Sequence, residues 1–377
     1  MKVNWPTEKL GDVLKKNGII PVKIKCGEYR DNGKYPVIDQ GEDYIAGFIN
    51  DEQKLYQGDL PVVIFGDHTR ILKYVDFPFA YGADGIKILK PREGLLPKFF
   101  YYTLLFKPVQ NLGYKRHFSL LKNQKIPVPP LEIQKQIVER LDKIVEAQKL
   151  NDELIQKTDE LYRSLLFNEL NAKLKTQNLK LQLEIKKLSD VAEIIGGFAF
   201  KSDKLTDKKV SGSYLPVIKI GNVLKSGDLN ITNVQYYSFD NSLKKYLINR
   251  GDVLVAMTGA TVGKVVCSPY DNLLLNQRVG LIRVDKNIAD QNFVGMVLRS
   301  KSFYDYCQRT AGGGAQGNIS PSQIMQYEII LPPLKTQKQI VAKLSAVQDY
   351  KKQLIEQKTK LKELFDSVLH KSMSGEV

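Results

Sequence analysis

The sequence predicts an α+β protein in which one mixed α/β domain occurs twice and each copy runs into a long helix. Three observations predict this. Ile126-Pro-Val-Pro-Pro-Leu-Glu-Ile-Gln-Lys-Gln-Ile-Val returns as Ile329-Ile-Leu-Pro-Pro-Leu-Lys-Thr-Gln-Lys-Gln-Ile-Val, so one unit is used twice at domain scale. Upstream anchors repeat in the same order: Lys9-Leu-Gly-Asp-Val13 with Lys187-Leu-Ser-Asp-Val191, Tyr35-Pro-Val-Ile38 with Leu215-Pro-Val-Ile218, and Gly58-Asp-Leu60 with Gly251-Asp-Val253. Apolar residues after each Pro-Pro pair then alternate steps of four and three, the seam pattern of a coiled coil.

The first domain is read over residues 1–128. Short apolar runs at 60–65 and 86–89, broken by Asp-Asn-Gly, Gly66-Asp67 and Asp84-Gly85 turns, predict strands, and residues 99–106 predict a short buried helix. A central helix and linker follow over 129–184, with the linker expected from Asn168 because that stretch is rich in Lys, Asn and Gln. The second domain, 185–331, repeats the strands at 214–220, 251–257 and 280–284 and is expected to match the buried helix with one helix over 293–306. The C-terminal helix fills 332–377. Prolines at 129–130 and 332–333 end a strand and start a helix at fixed φ.

The first seam reads Ile137, Leu141, Ile144, Gln148, Asn151, Ile155, Thr158, Tyr162 and Leu165. The second reads Ile340, Leu344, Val347, Lys351, Leu354, Lys358, Leu361, Phe365 and Val368. Polar residues interrupt both, which favours pairing of the two helices within the chain over a long homodimeric coil; the alternative is that each packs only on its own domain. A helix of about 35 residues carries the chain roughly 50 Å. An antiparallel pair with a domain at each end, a pseudo-two-fold dumbbell, is therefore expected, and such symmetry suits a two-fold target.

With 56 Lys and Arg against 41 Asp and Glu, the formal charge of +15 favours polyanionic partners. Hydrophobic residues at 43% are enough for folded cores. Cys26, Cys267 and Cys307 are odd in number and far apart, which excludes a disulfide framework or a zinc ribbon. No signal peptide or apolar run of about 18 residues is present, so a soluble cytoplasmic protein is expected, with no membrane partner.

The candidate contact residues lie on loops. Residues 65–70 and their counterpart 257–264 form short hairpins: Arg70 suits bidentate pairing with guanine, His68, Thr69, Thr258 and Thr261 suit bases or phosphates, and Lys264 a phosphate. The glycine-rich stretch 311–320 offers Gln316 and Asn318 for amide readout, while its first-copy counterpart, 113–119, carries Lys115, Arg116 and His117. Scaffold anchors match and loops differ, so the two copies are expected to read different targets. An exposed hairpin tip without function is the plainer alternative for any one of these residues.

Catalytic signatures are missing. The loop from Gly259 to Lys264 is one residue short of a Walker motif, and Val265 stands where Ser or Thr is required. No Asp/Asn-Pro-Pro-aromatic motif of adenine methyltransferases occurs. His68, His117 and His370 lack metal-ligand spacing, and no metal or cofactor is expected.

The repeated Pro-Pro-Leu-x-x-Gln-x-x-Ile helix start, the Gly-Asp-Val/Leu strand, the segment Ala315-Gln-Gly-Asn-Ile-Ser320 and the terminal Leu369-His-Lys-Ser-Met-Ser-Gly-Glu376 together closely resemble the specificity subunit of Type I restriction-modification systems, across essentially the whole chain. The resemblance implies two target recognition domains, each reading half of a split double-stranded DNA site. It also implies two docked methyltransferase subunits, restriction-translocase subunits, and S-adenosylmethionine, ATP and magnesium sites that belong to those partners. It thus implies a non-catalytic recognition subunit. The first copy departs from the glycine-rich pattern at 113–119. Docking is expected around Gln134, Ile137 and Val138 and around Gln337, Ile340 and Val341, since both repeats retain them. A stand-alone DNA-modifying enzyme and a coiled-coil scaffold without sequence readout are the competing classes.

Overall fold

The computed structural model describes residues 3–15, 22–82, 85–113, 115–175, 184–208, 213–224, 227–312 and 317–376, and of residues 170–175 only the helical backbone. In chain order the first copy comprises β1 (Thr7–Lys9), β2 (Lys23–Ile24), β3 (Tyr35–Ile38), β4 (Gly47–Ile49), β5 (Val62–Gly66), β6 (Leu72–Val75), β7 (Ala80–Gly82), β8 (Ile86–Leu89), α1 (Pro97–Phe106), α2 (Phe118–Lys122) and β9 (Lys125–Pro127), then α3 (Leu131–Lys175). The second comprises β10 (Glu184–Lys187), β11 (Ala192–Gly196), β12 (Tyr214–Ile218), β13 (Gln235–Ser238), β14 (Leu247–Ile248), β15 (Val253–Ala256), β16 (Val265–Cys267), β17 (Leu273–Leu275), β18 (Val279–Val284), α4 (Gln291–Leu298), α5 (Lys301–Thr310), α6 (Pro321–Met325) and β19 (Glu328–Leu331), then α7 (Leu334–Met373).

The duplication read from sequence is repeated in the strand pairing. Each Pro-Val-Ile strand lies between an antiparallel neighbour and a parallel one: β3 between β4 and β7, β12 between β13 and β17. Each Gly-Asp segment leads into a fully buried strand, β5 or β15, that pairs antiparallel with the next strand of its hairpin and with β8 or β18. Short antiparallel ladders, β1 with β9 and β10 with β19, bring each domain's entry beside its exit. The copies differ at the edges: β11 adds a strand beside β18 in the second domain's sheet, and among the described residues the matching first-domain sheet, β6-β5-β8, has no strand at that edge.

Two sequence expectations are corrected. The single helix over 293–306 is two helices, because the Ser300 hydroxyl accepts the Phe303 amide and starts α5 as a new helix after α4. The linker does not begin at Asn168; α3 continues to Lys175, since Glu169, Leu170, Ala172, Lys173 and Leu174 are good helix formers.

The chain divides into two compact units, Met1–Ile155 with Gln353–Val377 and Gln156–Lys352, so each unit contains one domain and a length of both helices. Within each unit the two lengths run antiparallel. In the first, Gln148 donates to the Leu361 carbonyl at 3.1 Å, Asn151 to that of Leu354 at 3.0 Å, and Lys358 meets Asp152 at 2.8 Å. In the second, Lys351 meets Asp159 at 2.7 Å and Lys343 meets Glu169 at 2.7 Å. The apolar ends of the seams do something else: Ile137 and Leu141 join the first domain's core, and Ile340 and Leu344 the second's. Leu369 and Met373, at the far end of α7, also enter the first core. There the Trp5 indole donates to the Ser372 carbonyl at 3.0 Å and Gly375, at φ +76°, lies where a Cβ would overlap the Val3 carbonyl.

The retained Gln-Lys-Gln-Ile-Val pentapeptides hold each helix to its own domain. Gln134 is fully buried; its Oε1 accepts the Leu96 amide at 2.8 Å, and its Nε2 donates to the carbonyls of Pro129 at 2.8 Å and Gly94 at 3.0 Å. Gln337, equally buried, accepts the Asp290 amide at 2.7 Å and donates to Pro332 at 2.7 Å. Of the residues expected to dock partners, Gln134, Gln337, Ile137 and Ile340 face inward instead, at most 1% exposed, and Val138 and Val341 are half-buried against the same cores. Their retention reports an internal joint. Replacing Gln134 or Gln337 by Leu strands backbone groups that each cost about 1–3 kcal/mol when buried unpaired. Chemical denaturation should show a loss of about 3 kcal/mol or more, whereas Lys135→Ala, one residue away and exposed, should stay within about 0.5 kcal/mol.

Candidate nucleic-acid interface

Each hairpin loop is tied to the second candidate loop of its own domain. In the first domain Asp67, 3% exposed, opens the β5–β6 loop, and its carbonyl accepts the His117 amide at 2.8 Å and lies 3.0 Å from the ring Nδ1. Its carboxylate accepts the Phe118 amide at 2.8 Å and lies 4.0 Å from Lys87 Nζ. His117 Nε2 in turn accepts the Leu112 amide at 3.3 Å, which puts the ring proton on Nδ1, donating to Asp67. His117 is 0% exposed with both ring nitrogens engaged. It is an internal brace, not the groove-facing side chain expected, because its ring is consumed in closing the loop that presents its neighbours. Lys115 and Arg116, immediately before it, are exposed.

Arg70 has φ +64°, and its amide returns to the Gly66 carbonyl at 2.7 Å to close the turn. Its guanidinium lies against the domain, 3.4 Å from the Val109 carbonyl, with Nε buried and without a hydrogen-bond partner among the described residues. The free structure therefore presents no outward Arg70 fork. Thr69 Oγ1 accepts the Ile71 amide at 3.3 Å, and His68 sits half-buried beside Gln40, whose Oε1 accepts its backbone amide.

The second domain makes the same union through main chain. The Gly259 amide donates to Gly317 at 2.8 Å and that of Ile319 to Met257 at 2.9 Å, pairing Thr258 with Asn318 in an isolated bridge. Asn318 is exposed; Thr258 and Thr261 are half-buried on a single 3-10 turn, Gly259–Thr261. Lys264 follows, its ammonium 4.1 Å from the Tyr304 ring centroid. Gln316 lies outside the described residues.

The structure thus brings His68, Thr69, Lys115 and Arg116 to one loop pair, and Thr258, Thr261, Lys264 and Asn318 to the other. It adds Asp67, Lys87, Arg299 and Tyr304, which sequence reading missed. Asp67 had registered only as a turn residue, and its partner His117 is 50 positions away.

Two cationic loop pairs on a duplicated frame define a two-domain recognition protein. The chain belongs to the family of the Type I restriction modification DNA specificity domain, whose model matches residues 2–158 and 181–364. Among curated relatives it is similar to the EcoR124I/EcoR124II specificity subunit of Escherichia coli, 24% identical over 363 residues that cover 90% of this chain and 85% of the relative. Among solved structures its fold is similar to the S subunit of a Type I system from M. genitalium, with TM-score 0.61, 14% identity, and 98% and 96% of the two chains covered. A second structure, described in terms of complex assembly and conformational transition of the type I R-M system, matches at TM-score 0.61 and 17% identity over 99% and 98%. The protein is accordingly a DNA specificity subunit, a recognition component and not the catalyst. Among the described residues no helix is long and apolar enough to cross a membrane.

His117→Ala removes the ring from both the Asp67 carbonyl and the Leu112 amide, a loss of about 2 kcal/mol or more. Hydrogen exchange should rise at Leu112 and Phe118 and stay unchanged at Gly259 and Ile319, whose loops are joined by backbone bonds.

Proposed function

We propose that the two domains read different halves of a bipartite double-stranded DNA site, that 1–128 and 185–331 are the reading domains, and that the helices 129–184 and 332–377 set their spacing and dock two methyltransferase subunits, which restriction-translocase subunits join. The observation that carries this reading is the equivalence of the two frames combined with the inequivalence of their loops. Phosphate contacts would fall to Lys115, Arg116 and Lys264, which fix register without reading sequence. Base contacts would fall to Thr69, His68, Thr258, Thr261 and Asn318, and to Gln316.

Exchanging residues 185–331 for those of a relative with another specificity should change one half of the methylated sequence and leave the other half and the spacer intact. Methylation mapping reads this directly. A change in both halves, or an uninterrupted target, would sink the proposal.

With the glutamine joints buried, docking passes to the outward faces of the helices. Leu150, Leu154, Ile355 and Leu364 stay exposed in one unit, and Leu161 and Tyr350 in the other. Polar replacement of Leu150 and Leu154 should lower methyltransferase occupancy in a native mass spectrum from two per chain towards one, without lowering the unfolding midpoint. Unchanged occupancy would move docking off this face.

A further inference from the structure

A small cleft at the foot of the second domain's hairpin is lined by Gly227, Gly263, Lys264, Val265, Leu298, Arg299, Ser300 and Tyr304, with a volume of about 140 Å³. Its lining holds two cations and no carboxylate. Neither Lys264 nor Arg299 has a carboxylate within ion-pair distance among the described residues. The other cationic cavities are different. The larger one in the first domain holds Lys15, Lys87 and Lys90, but these meet Glu93 at 3.2 Å, Asp67 at 4.0 Å and Asp59 at 2.5 Å. A third holds Lys244, Lys245 and Arg283, likewise with no carboxylate in its lining, but it lies towards the end of β18 away from the hairpin, and its guanidinium already donates to the Leu247 carbonyl.

We propose that this cleft is a phosphate clamp in which Lys264 and Arg299 are the paired cations and the Ser300 and Tyr304 hydroxyls are neutral donors. Its ligand is a DNA backbone phosphodiester. That source rests on the DNA reading above; the phosphate chemistry does not. Two like charges lining one cleft repel each other until an anion joins them, and a tetrahedral oxyanion accepts from several donors at once. The face of Tyr304 holds the Lys264 ammonium in place. Gly227 lines the cleft at φ +85°, a backbone conformation that favours glycine. Arg299 follows the last turn of α4 and is exposed, and its guanidinium reaches back to the half-buried Cys267 thiol, a contact that the glutamine amide of Arg299→Gln can replace in part. Because Lys264 ends the loop that carries Thr258 and Thr261, a phosphate fixed here sets where those residues meet the duplex.

The test uses the full chain in its assembly with methyltransferase subunits and compares it with Arg299→Gln. Affinity for duplexes of any sequence should fall about tenfold, and the slope of log K against log salt should become shallower by about 0.9, one phosphate's worth. Single methylphosphonate replacements scanned along the backbone should reveal one position that weakens the unsubstituted protein and weakens Arg299→Gln clearly less, because only the Lys264 side of the clamp is then left to lose. An unchanged unfolding midpoint confirms that the variant is folded. If every methylphosphonate acts additively with Arg299→Gln, the clamp is wrong. If inorganic phosphate raises the midpoint of the unsubstituted protein but not of Arg299→Gln while the scan stays additive, the cleft takes free phosphate and the DNA source is overturned. No duplex binding by the unsubstituted protein would instead overturn the DNA reading itself.

Discussion

Everything a specificity subunit must hold steady in this molecule depends on two buried primary amides. Gln134 and Gln337 each accept an amide from the residue that starts a domain helix, Leu96 before α1 and Asp290 before α4, and each donates to the proline carbonyl that precedes its own long helix. One side chain thus fixes two helix starts against each other. No apolar residue of that size can do this, because helix starts leave amides that must find an acceptor when buried. The recurrence of that first glutamine in both copies follows from the constraint.

The same joint explains which parts of the architecture were legible in the sequence. The repeat, the Pro-Val-Ile and Gly-Asp strands and the two long helices announce themselves through local patterns, strand alternation and heptad spacing. What misled was composition read without its partners. Amide and apolar residues retained beside a Pro-Pro pair looked like an exposed docking surface, because sequence does not show that Gly94 and Leu96 come to meet Gln134. Asn and Lys after residue 168 looked like a linker, although the Glu, Leu, Ala and Lys between the asparagines and Lys175 favour a helix. The break between α4 and α5 lay in one serine, whose capping role is visible only once the Phe303 amide is placed.

The candidate loops were half legible for the same reason. Charged and glycine-rich stretches marked them, and the structure unites them pairwise. The bonds that unite them are long-range: Asp67 with His117 in one domain, Gly259 with Gly317 in the other. The first uses a buried carboxylate and imidazole, the second only backbone. A loop tied by backbone can change its side chains freely, whereas one tied through Asp67 and His117 must keep both. The basic pair Lys115-Arg116 is presented by that fixed histidine, and its cleft lysines are neutralised by carboxylates. The second domain keeps its cations unpaired beside the hairpin.

The helices complete this division between fixed and variable parts. Where α3 and α7 run side by side away from the domain cores, amides and ion pairs are prominent among the contacts, whereas the apolar side chains of the two helices cluster towards the cores. Asn151 is 3% exposed; its Nδ2 reaches the Leu354 carbonyl and its Oδ1 has no hydrogen-bond partner among the described residues. A buried amide left half-satisfied lowers stability, and its known use in helix pairs is to select one register over others. Lys351 with Asp159 and Lys358 with Asp152 are partly exposed pairs that contribute about 1 kcal/mol or less each. Stability therefore comes from the domain ends, where Ile137, Leu141, Ile340 and Leu344 enter the cores, and the stretch between supplies register. On the duplex reading proposed above, a one-turn slip of about 5.4 Å would exceed the rise of one base pair. A weak but register-specific contact guards against that slip more directly than a strong and slippery apolar seam would.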